Sequence, residues 1–146
     1  MTYASELTSM IITLCGSTKF HREMKQAKEK LERAGHKVLT PHLEFGDFHE
    51  IKNKDREFWR KKKAEFMRDH FRKIRKSDAV FVLNYEKEGV KGYVGSNTLL
   101  DIAVAYEHDK KIFLLNHPAS NQPCSDEIEV INPVILGGNF DLERMV

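Results

Sequence analysis

Short apolar runs alternate along the chain with longer stretches in which apolar residues recur every three or four positions. The runs at residues 11–15, 37–40, 79–83 and 111–115 predict buried strands. Helical periods occupy residues 20–34, 58–74 and about 98–108, and Gly35 is placed to close the first helix. Strands that alternate with helices predict an α/β domain with right-handed crossovers. We expect a Rossmann-like (flavodoxin-like) three-layer sandwich with a mostly parallel sheet of four to five strands.

Three segments lack a clear period. Residues 42–54 are polar and acidic and contain histidine, and they predict a loop of the length that often covers a site. The segment after residue 116 is ambiguous. Residues 1–9 are interpreted as a disordered leader before a single domain at 10–146.

Charge and cysteine content narrow the class of protein. The formal net charge is +2, yet residues 52–76 hold 12 of the 24 lysines and arginines against 4 acids. This basic segment is either a solvated helix face or a nucleic-acid surface. Two cysteines without metal-ligand spacing, and no apolar stretch long enough for export or a membrane span, indicate a cytoplasmic protein.

The first strand runs into Gly16-Ser17-Thr18-Lys19, a turn that opens a helix. Free backbone N–H groups and the positive end of the helix face the same point, with two hydroxyls and an ammonium beside them. The turn therefore predicts binding of an anion, above all the phosphate of a nucleotide. The structural alternative is that Ser17 or Thr18 caps the helix and Gly16 only relieves the turn.

A second polar loop at residues 92–97 enters the third helix. If Thr98 is the N-cap, Thr98-x-x-Asp101 resembles a capping box, which would give Asp101 a structural role. A carboxylate in a first helical turn is also held ionised by the helix dipole, as a nucleophile requires. Because parallel strands place their ligands at one edge of the sheet, both loops are expected to border one cleft, near the switch point between the first and third strands.

Several classes of site lack their sequence signature. The seven histidines show no His-x-x-x-His pair, and there is no Cys-x-x-Cys pair, so no metal site is expected. There is also no Walker lysine, no dinucleotide fingerprint and no nucleophile elbow. No cofactor is expected.

Four motifs in order resemble the nucleoside 2-deoxyribosyltransferase superfamily. They are the Cys-Gly-Ser-Thr turn at 15–18, Val-Leu-Thr-Pro-His at 38–42, Asp-Ala-Val at 78–80 and the helix at 101–110. Within it, the likeness to 2′-deoxynucleoside 5′-phosphate N-hydrolases and related nucleotide N-glycosidases is greatest. The resemblance spans about residues 10–116.

The resemblance implies a catalytic carboxylate nine residues before the lysine that opens the fourth strand, which here is Asp101. The family has Glu at this place, one methylene longer. Asp101 would attack the anomeric carbon of a ribosyl or deoxyribosyl group, displace the base and leave a glycosyl ester for water or another base. The family acid that protonates the leaving base falls at His70, with Asp69 beside it. The structural alternative for His70 is a histidine of the core, and that for Asp69 is a solvated partner of Lys73.

The resemblance also places the 5′-phosphate of a nucleotide at the first turn. The residues implied in binding the substrate are Gly16, Ser17, Thr18, Lys19, His42, Gly95, Ser96 and Asn97. Capping of the third helix is the plain interpretation of Ser96 and Asn97. The predicted activity is cleavage of the N-glycosidic bond of a nucleoside or its 5′-monophosphate, by hydrolysis or base transfer.

Two other functions remain open at this point: a catalytically idle nucleotide-binding module, and a nucleic-acid binder that uses residues 52–76. The expected partners are a nucleoside or nucleotide substrate and a second copy of the chain, in a homodimer or higher oligomer. No membrane partner is expected.

Overall fold

The computed structural model describes residues 9–140. Within them, five strands form one sheet: β1 (Ile11–Cys15), β2 (Lys37–Leu39), β3 (Ala79–Val82), β4 (Lys111–Leu114) and β5 (Val134–Ile135). Every pairing is parallel, and the strand order is β2-β1-β3-β4-β5. The prediction of a Rossmann-like α/β sandwich with a parallel sheet is confirmed. The predicted leader at 1–9 and the end of the predicted domain at 141–146 lie outside the described residues, except for Ser9.

Helices cover both faces of the sheet. They are α1 (His21–Arg33), α2 (His49–Lys54), α3 (Arg56–Lys76), α4 (Ser96–Glu107) and α5 (Ser125–Ile131). None of the helices in the described part of the chain is both long and apolar enough to cross a membrane.

The sheet residues alternate between two hydrophobic cores. Phe81 of β3 packs in a cluster with Met24 and Leu31 of α1, on one face. Val80 and Val82 pack in a second cluster with residues of α3, α4 and α5 on the other face. Because both faces are covered, β3 is buried at every position, and its sequence shows a continuous apolar run rather than alternation.

The strand order sets the position of the ligand crevice. β1 lies between β2 and β3. The connection after β1 leads to β2 on one side of it, and the connection after β2 leads to β3 on the other side. The loops after β1 and β3 therefore diverge at their carboxyl ends, which is where open parallel sheets bind ligands.

Three element boundaries differ from the sequence prediction. The supposed loop at 42–54 contains helix α2, whose six residues are too few to show a helical period. The ambiguous segment after residue 116 supplies α5 and β5. Helix α4 begins at Ser96 after the N-cap Gly95, so the prediction that Thr98 caps this helix is wrong.

Gly35, by contrast, closes α1 as expected. Its φ is 99°, and its N–H donates to the carbonyl of Glu32 while that of His36 donates to Leu31. This is the Schellman pattern, which needs the left-handed conformation that glycine adopts without strain.

Candidate active site

A cleft of about 550 Å³ lies at the carboxyl ends of β1 and β3. Its volume suits a small organic ligand. Four parts of the chain form its walls: the turn after β1, residues 41–70 with α2 and much of α3, the loop after β3, and the first two turns of α4. The predicted site residues that line it are Gly16, Ser17, Thr18, Lys19, His42, His70, Gly95, Ser96, Asn97 and Asp101. Asp69 does not line it.

The turn after β1 is held in one conformation. Gly16 has φ 148°, and a Cβ there would lie 3.1 Å from the carbonyl oxygen of Leu83, so this position requires glycine. Ser17 caps a 3-10 turn at Thr18–Phe20 by accepting from the Lys19 N–H at 3.2 Å. Thr18 Oγ1 accepts from the Phe48 N–H at 3.1 Å and so ties the turn to the segment before α2. Both hydroxyls keep their own proton to donate to an anion.

Lys87 places a second cation at this turn. Its ammonium donates to Ser17 Oγ at 3.1 Å and lies 5.5 Å from the centre of the Tyr93 ring, which also lines the cleft. A tight turn at Glu88 and Gly89, both with positive φ, directs the chain back so that Lys87 pairs with Val90. Sequence reasoning missed Lys87, since a lysine between two glutamates is typical of a solvated turn. The Glu88-Gly89 pair was the available signal.

Helix α4 begins on the cleft without a side-chain cap. Its N-cap is Gly95, and no side chain bonds the first amides. Within the described chain, the N–H groups of Ser96, Asn97 and Thr98 have no acceptor among protein atoms. Ser96 and Asn97 therefore do not cap this helix through their side chains. Three free amides and the positive end of the helix form a second donor surface across from the turn at Gly16.

Asp101 lies in the second turn of α4, deeper than the predicted first turn. Its side chain is 5% exposed and borders the cleft. Among the described residues no hydrogen bond is made to this carboxylate, and its nearest ionic neighbour is His70 Nε2, 3.5 Å from Oδ2. A buried carboxylate without donors is costly to keep, which makes it a candidate for a reactive group.

Cys15 completes a buried cluster with His70 and Asp101. Its Sγ lies 3.6 Å from His70 Nε2, the same ring nitrogen that faces Asp101. A Cys-His-Asp triad would use the two ring nitrogens separately, whereas here Nδ1 of His70 is buried without a partner among residues 9–140. Burial, and then the charge of Asp101, raise the pKa of the Cys15 thiol well above its usual value. Both observations are unfavourable for a thiolate nucleophile at Cys15.

Asp69 reaches the cleft only through His42. Its carboxylate accepts from His42 Nε2 at 2.9 Å and from Lys73 Nζ at 3.1 Å. The Lys73 contact is the main cause that lowers the Asp69 pKa. His42 stacks on Phe66 at 4.1 Å between ring centres, and Glu44 faces its other nitrogen at 3.2 Å. The structure thus contains the Asp69 and Lys73 pair that was the alternative to a catalytic role, and it makes Asp69 a residue that orients His42.

The basic segment turns part of its charge into the cleft. Lys63 and Lys52 approach the ring of Trp59 at 5.4 and 4.8 Å, and Trp59 and Lys63 line the cavity. Burial and then the charge of Lys52 lower the pKa of Lys63, while Asp101 opposes this shift. Burial and then Lys63 lower the pKa of His49, another residue of the wall. Sequence reasoning described the whole segment as one helix face and so missed this inward side.

No protein-family model matches the sequence, and no curated protein matches it. A comparison with solved structures finds a CMP N-glycosidase from Clostridium botulinum, BcmB, which is 16% identical to this chain. The match covers 92% of this chain and 94% of the other, with a TM-score of 0.50. At this identity the likeness concerns the fold. The chain is an α/β protein that shares its overall fold with a nucleotide N-glycosidase.

Proposed function

We propose that the protein cleaves the N-glycosidic bond of a nucleoside 5′-monophosphate, with Asp101 as the nucleophile. One observation carries the proposal: in the described chain, a buried carboxylate without hydrogen bonds lies in the same 550 Å³ cleft as a glycine turn and a helix start that offer unpaired donors to an anion. A substrate with an anionic group at one end and an electrophilic carbon at the other would meet both the donors and the carboxylate. The shared fold with a CMP N-glycosidase agrees with this chemistry.

The phosphate end of the cleft is built mostly from donors. The amides after Gly16, the hydroxyl of Ser17 and the ammonium of Lys87 converge on one side, and the free amides of α4 lie on the other. Such donors bind a phosphate by charge-assisted hydrogen bonds, which are about twice as strong as neutral ones. Holding the phosphate fixes the sugar relative to Asp101, so that binding energy is used for orientation.

At the other end, Asp101 attacks the anomeric carbon. The bond between that carbon and the base nitrogen breaks, its electron pair leaves with the base, and the carboxylate oxygen forms an ester with the sugar. The departing nitrogen takes a proton from solvent, because the carboxylates of Asp69 and Glu44 already face both ring nitrogens of His42 at the cleft wall. Water or a second base then attacks the same carbon and releases Asp101.

His70 has a different part in this proposal. Its Nε2 faces Asp101, and its Nδ1 is buried without a partner in the described part of the chain, so neither nitrogen is directed at a leaving base. We therefore assign it a positioning role beside the nucleophile, in place of the acid role that the resemblance implies.

The direct test is release of free base. The protein, at high concentration, is incubated with a panel of ribo- and deoxyribonucleosides and their 5′-monophosphates, and the free base is separated by chromatography. A radiolabelled second base, added in parallel, distinguishes transfer from hydrolysis. We expect release from at least one 5′-monophosphate. A nucleotide that raises the melting temperature while no base appears would overturn the proposal in favour of an idle binding module.

Lys87→Ala is expected to weaken binding of the nucleotide and to leave binding of the nucleoside nearly unchanged. Loss of one charge-assisted hydrogen bond to phosphate corresponds to a rise in KM of about 10- to 100-fold for a 5′-monophosphate. The KM of the matching nucleoside, which has no phosphate, should change little. The control is Lys91→Ala, which removes an exposed lysine from the same loop. Equal changes for nucleotide and nucleoside would contradict the placement of the phosphate at Ser17 and Lys87.

A further inference from the structure

Three metal-binding side chains meet at the base of the cleft, although the sequence contains no metal motif. Cys15 comes from β1, His70 from α3 and Asp101 from α4, so the fold brings them together and no local spacing shows them. One ligand atom from each lies within 4.8 Å of the other two. All three residues are buried, and the cores on β1, α3 and α4 hold their backbones in place.

The distances between these atoms match the edges of a zinc tetrahedron. A tetrahedral Zn²⁺ with its usual bond lengths separates a sulfur and a nitrogen ligand by about 3.6 Å, and a nitrogen and an oxygen ligand by about 3.4 Å. The corresponding distances here are 3.6 Å between Cys15 Sγ and His70 Nε2, and 3.5 Å between His70 Nε2 and Asp101 Oδ2. The third edge, within 4.8 Å, needs ~1.2 Å of movement at most.

One of these distances is long for a direct hydrogen bond. A charged N–H to carboxylate bond is usually about 2.7–2.9 Å long, whereas His70 Nε2 and Asp101 Oδ2 are 3.5 Å apart. The contact of 3.6 Å between Cys15 Sγ and His70 Nε2 also suits a hydrogen bond to sulfur, which a metal would replace. A thiolate, an imidazole and a carboxylate are the ligand types that Zn²⁺ takes in proteins. Two of the three, His70 and Asp101, also line the cleft, which leaves a fourth position for water or a substrate atom.

We propose that Cys15, His70 and Asp101 form a reversible Zn²⁺ site that switches the cleft off. On binding, the thiol of Cys15 loses its proton to solvent and its sulfur joins the metal, while Nε2 of His70 and a carboxylate oxygen of Asp101 donate electron pairs. Asp101 is then no longer free to attack a sugar. The metal site itself stands independently of the proposed glycosidase activity.

One feature of the cluster limits its affinity. In stable zinc sites the second nitrogen of a histidine ligand donates to an oriented acceptor, and loss of that partner costs about 10- to 100-fold in affinity. Nδ1 of His70 has no partner within the described residues. We therefore expect the site to bind a metal reversibly, with an occupancy that depends on the free metal concentration.

The experiment measures metal binding without any substrate. Chelator-treated, dialysed protein is titrated with Zn²⁺ by calorimetry, and with Co²⁺ by absorption. We expect one ion per chain, and for Co²⁺ a thiolate charge-transfer band with the strong visible bands of tetrahedral coordination. Cys15→Ser should remove the charge-transfer band, and His70→Gln should weaken binding at least about 10-fold. Cys124→Ser is the matched control, because Cys124 is also buried and lies outside the cluster.

A second variant guards against a folding artefact. If Cys15→Ser does not fold, Asp101→Asn is titrated instead, with a cooperative melting curve as the criterion for folding. The proposal is overturned if wild-type protein binds no Co²⁺, if the charge-transfer band survives Cys15→Ser, or if it disappears in Cys124→Ser. An absent glycosidase activity would leave the spectra unchanged, so failure of the two proposals can be told apart. Where base release is measurable, Zn²⁺ should suppress it and a chelator should restore it.

Discussion

Asp101→Asn is expected to lower the rate of base release by at least about 1,000-fold, because the amide oxygen is a far weaker nucleophile than a carboxylate. The substitution keeps the size of the side chain, so the cleft and its anion turn stay in place. Binding should therefore persist, and the same nucleotide should still raise the melting temperature. The measurement is single-turnover release of base from the best nucleotide of the panel, beside a thermal shift at the same concentration.

Asp47→Asn is the matched control for charge. Asp47 also lines the cleft, and its Oδ1 accepts from the His49 N–H at 3.1 Å. Removing this carboxylate changes the potential of the cleft without touching Asp101, so the rate should fall little. If both variants lose activity to the same extent, the loss is a general effect of charge, and Asp101 is not the nucleophile.

Asp101→Glu tests the length of the side chain. The resemblance implies a glutamate at this place, and an error of about 1 Å in the position of a reacting atom can cost on the order of 100-fold in rate. The longer side chain must fit where the present one is 5% exposed, at a cost of about 1–3 kcal/mol in stability. A faster variant would show that the aspartate limits the rate, and a slower one that the backbone already compensates for the missing methylene.

Gly92→Ala is expected to lower the free energy of unfolding by about 3 kcal/mol or more. A Cβ at this position would lie only 2.0 Å from the carbonyl oxygen of His117 and 3.1 Å from the amide nitrogen of Ala119, and the φ of 71° is unfavourable for alanine. These contacts are backbone atoms, so no side chain can rotate away. Gly92 also accepts from the Ala119 N–H, which joins the loop before α4 to the segment after β4. Urea unfolding followed by circular dichroism gives the difference.

Gly89→Ala separates the cost of backbone strain from the cost of a steric clash. Gly89 lies in the same loop and has a similar φ of 78°, but an added Cβ would meet no atom within 4 Å. Its replacement should cost only the conformational strain, roughly 1–2 kcal/mol. Equal losses of stability in the two variants would mean that the contact with His117 is relieved by movement of the chain, and would contradict the expected order.

The sheet was predictable because its signals are local. The run at 79–83, which contains strand β3, is apolar at every position because both faces of the strand are covered. Gly35 marks the end of α1 by a backbone conformation that only glycine adopts easily. Helix α2 was not predictable, because six residues contain too few turns for a period to appear. The start of α4 was misplaced because Thr98-x-x-Asp101 imitates a capping box, whereas Gly95 begins the helix without a side chain.

Among the residues of the candidate site, only those that belong to a sequence motif could be predicted. The turn at Gly16 and the carboxylate of Asp101 could be placed on one edge of the sheet from the strand order alone. The positions of Lys87 and Cys15 were not predictable, since they depend on contacts across the fold: a turn that brings Lys87 back to Ser17, and the meeting of three elements around Cys15. For Asp69 the sequence suggested a catalytic group, whereas in the structure its carboxylate accepts a hydrogen bond from His42.

The uncapped start of α4 has a consequence for how stability and affinity are linked. Gly95 leaves three amides without acceptors among the residues that the structure describes, so this helix lacks a hydrogen bond that a serine or aspartate would ordinarily supply. In the proposed function, an anion bound there would complete the helix end, and part of its binding energy would appear as ordering of α4. Without the anion this end of the helix would fray more easily. Occupancy of the site would then determine the lifetime of the folded chain as well as its chemistry.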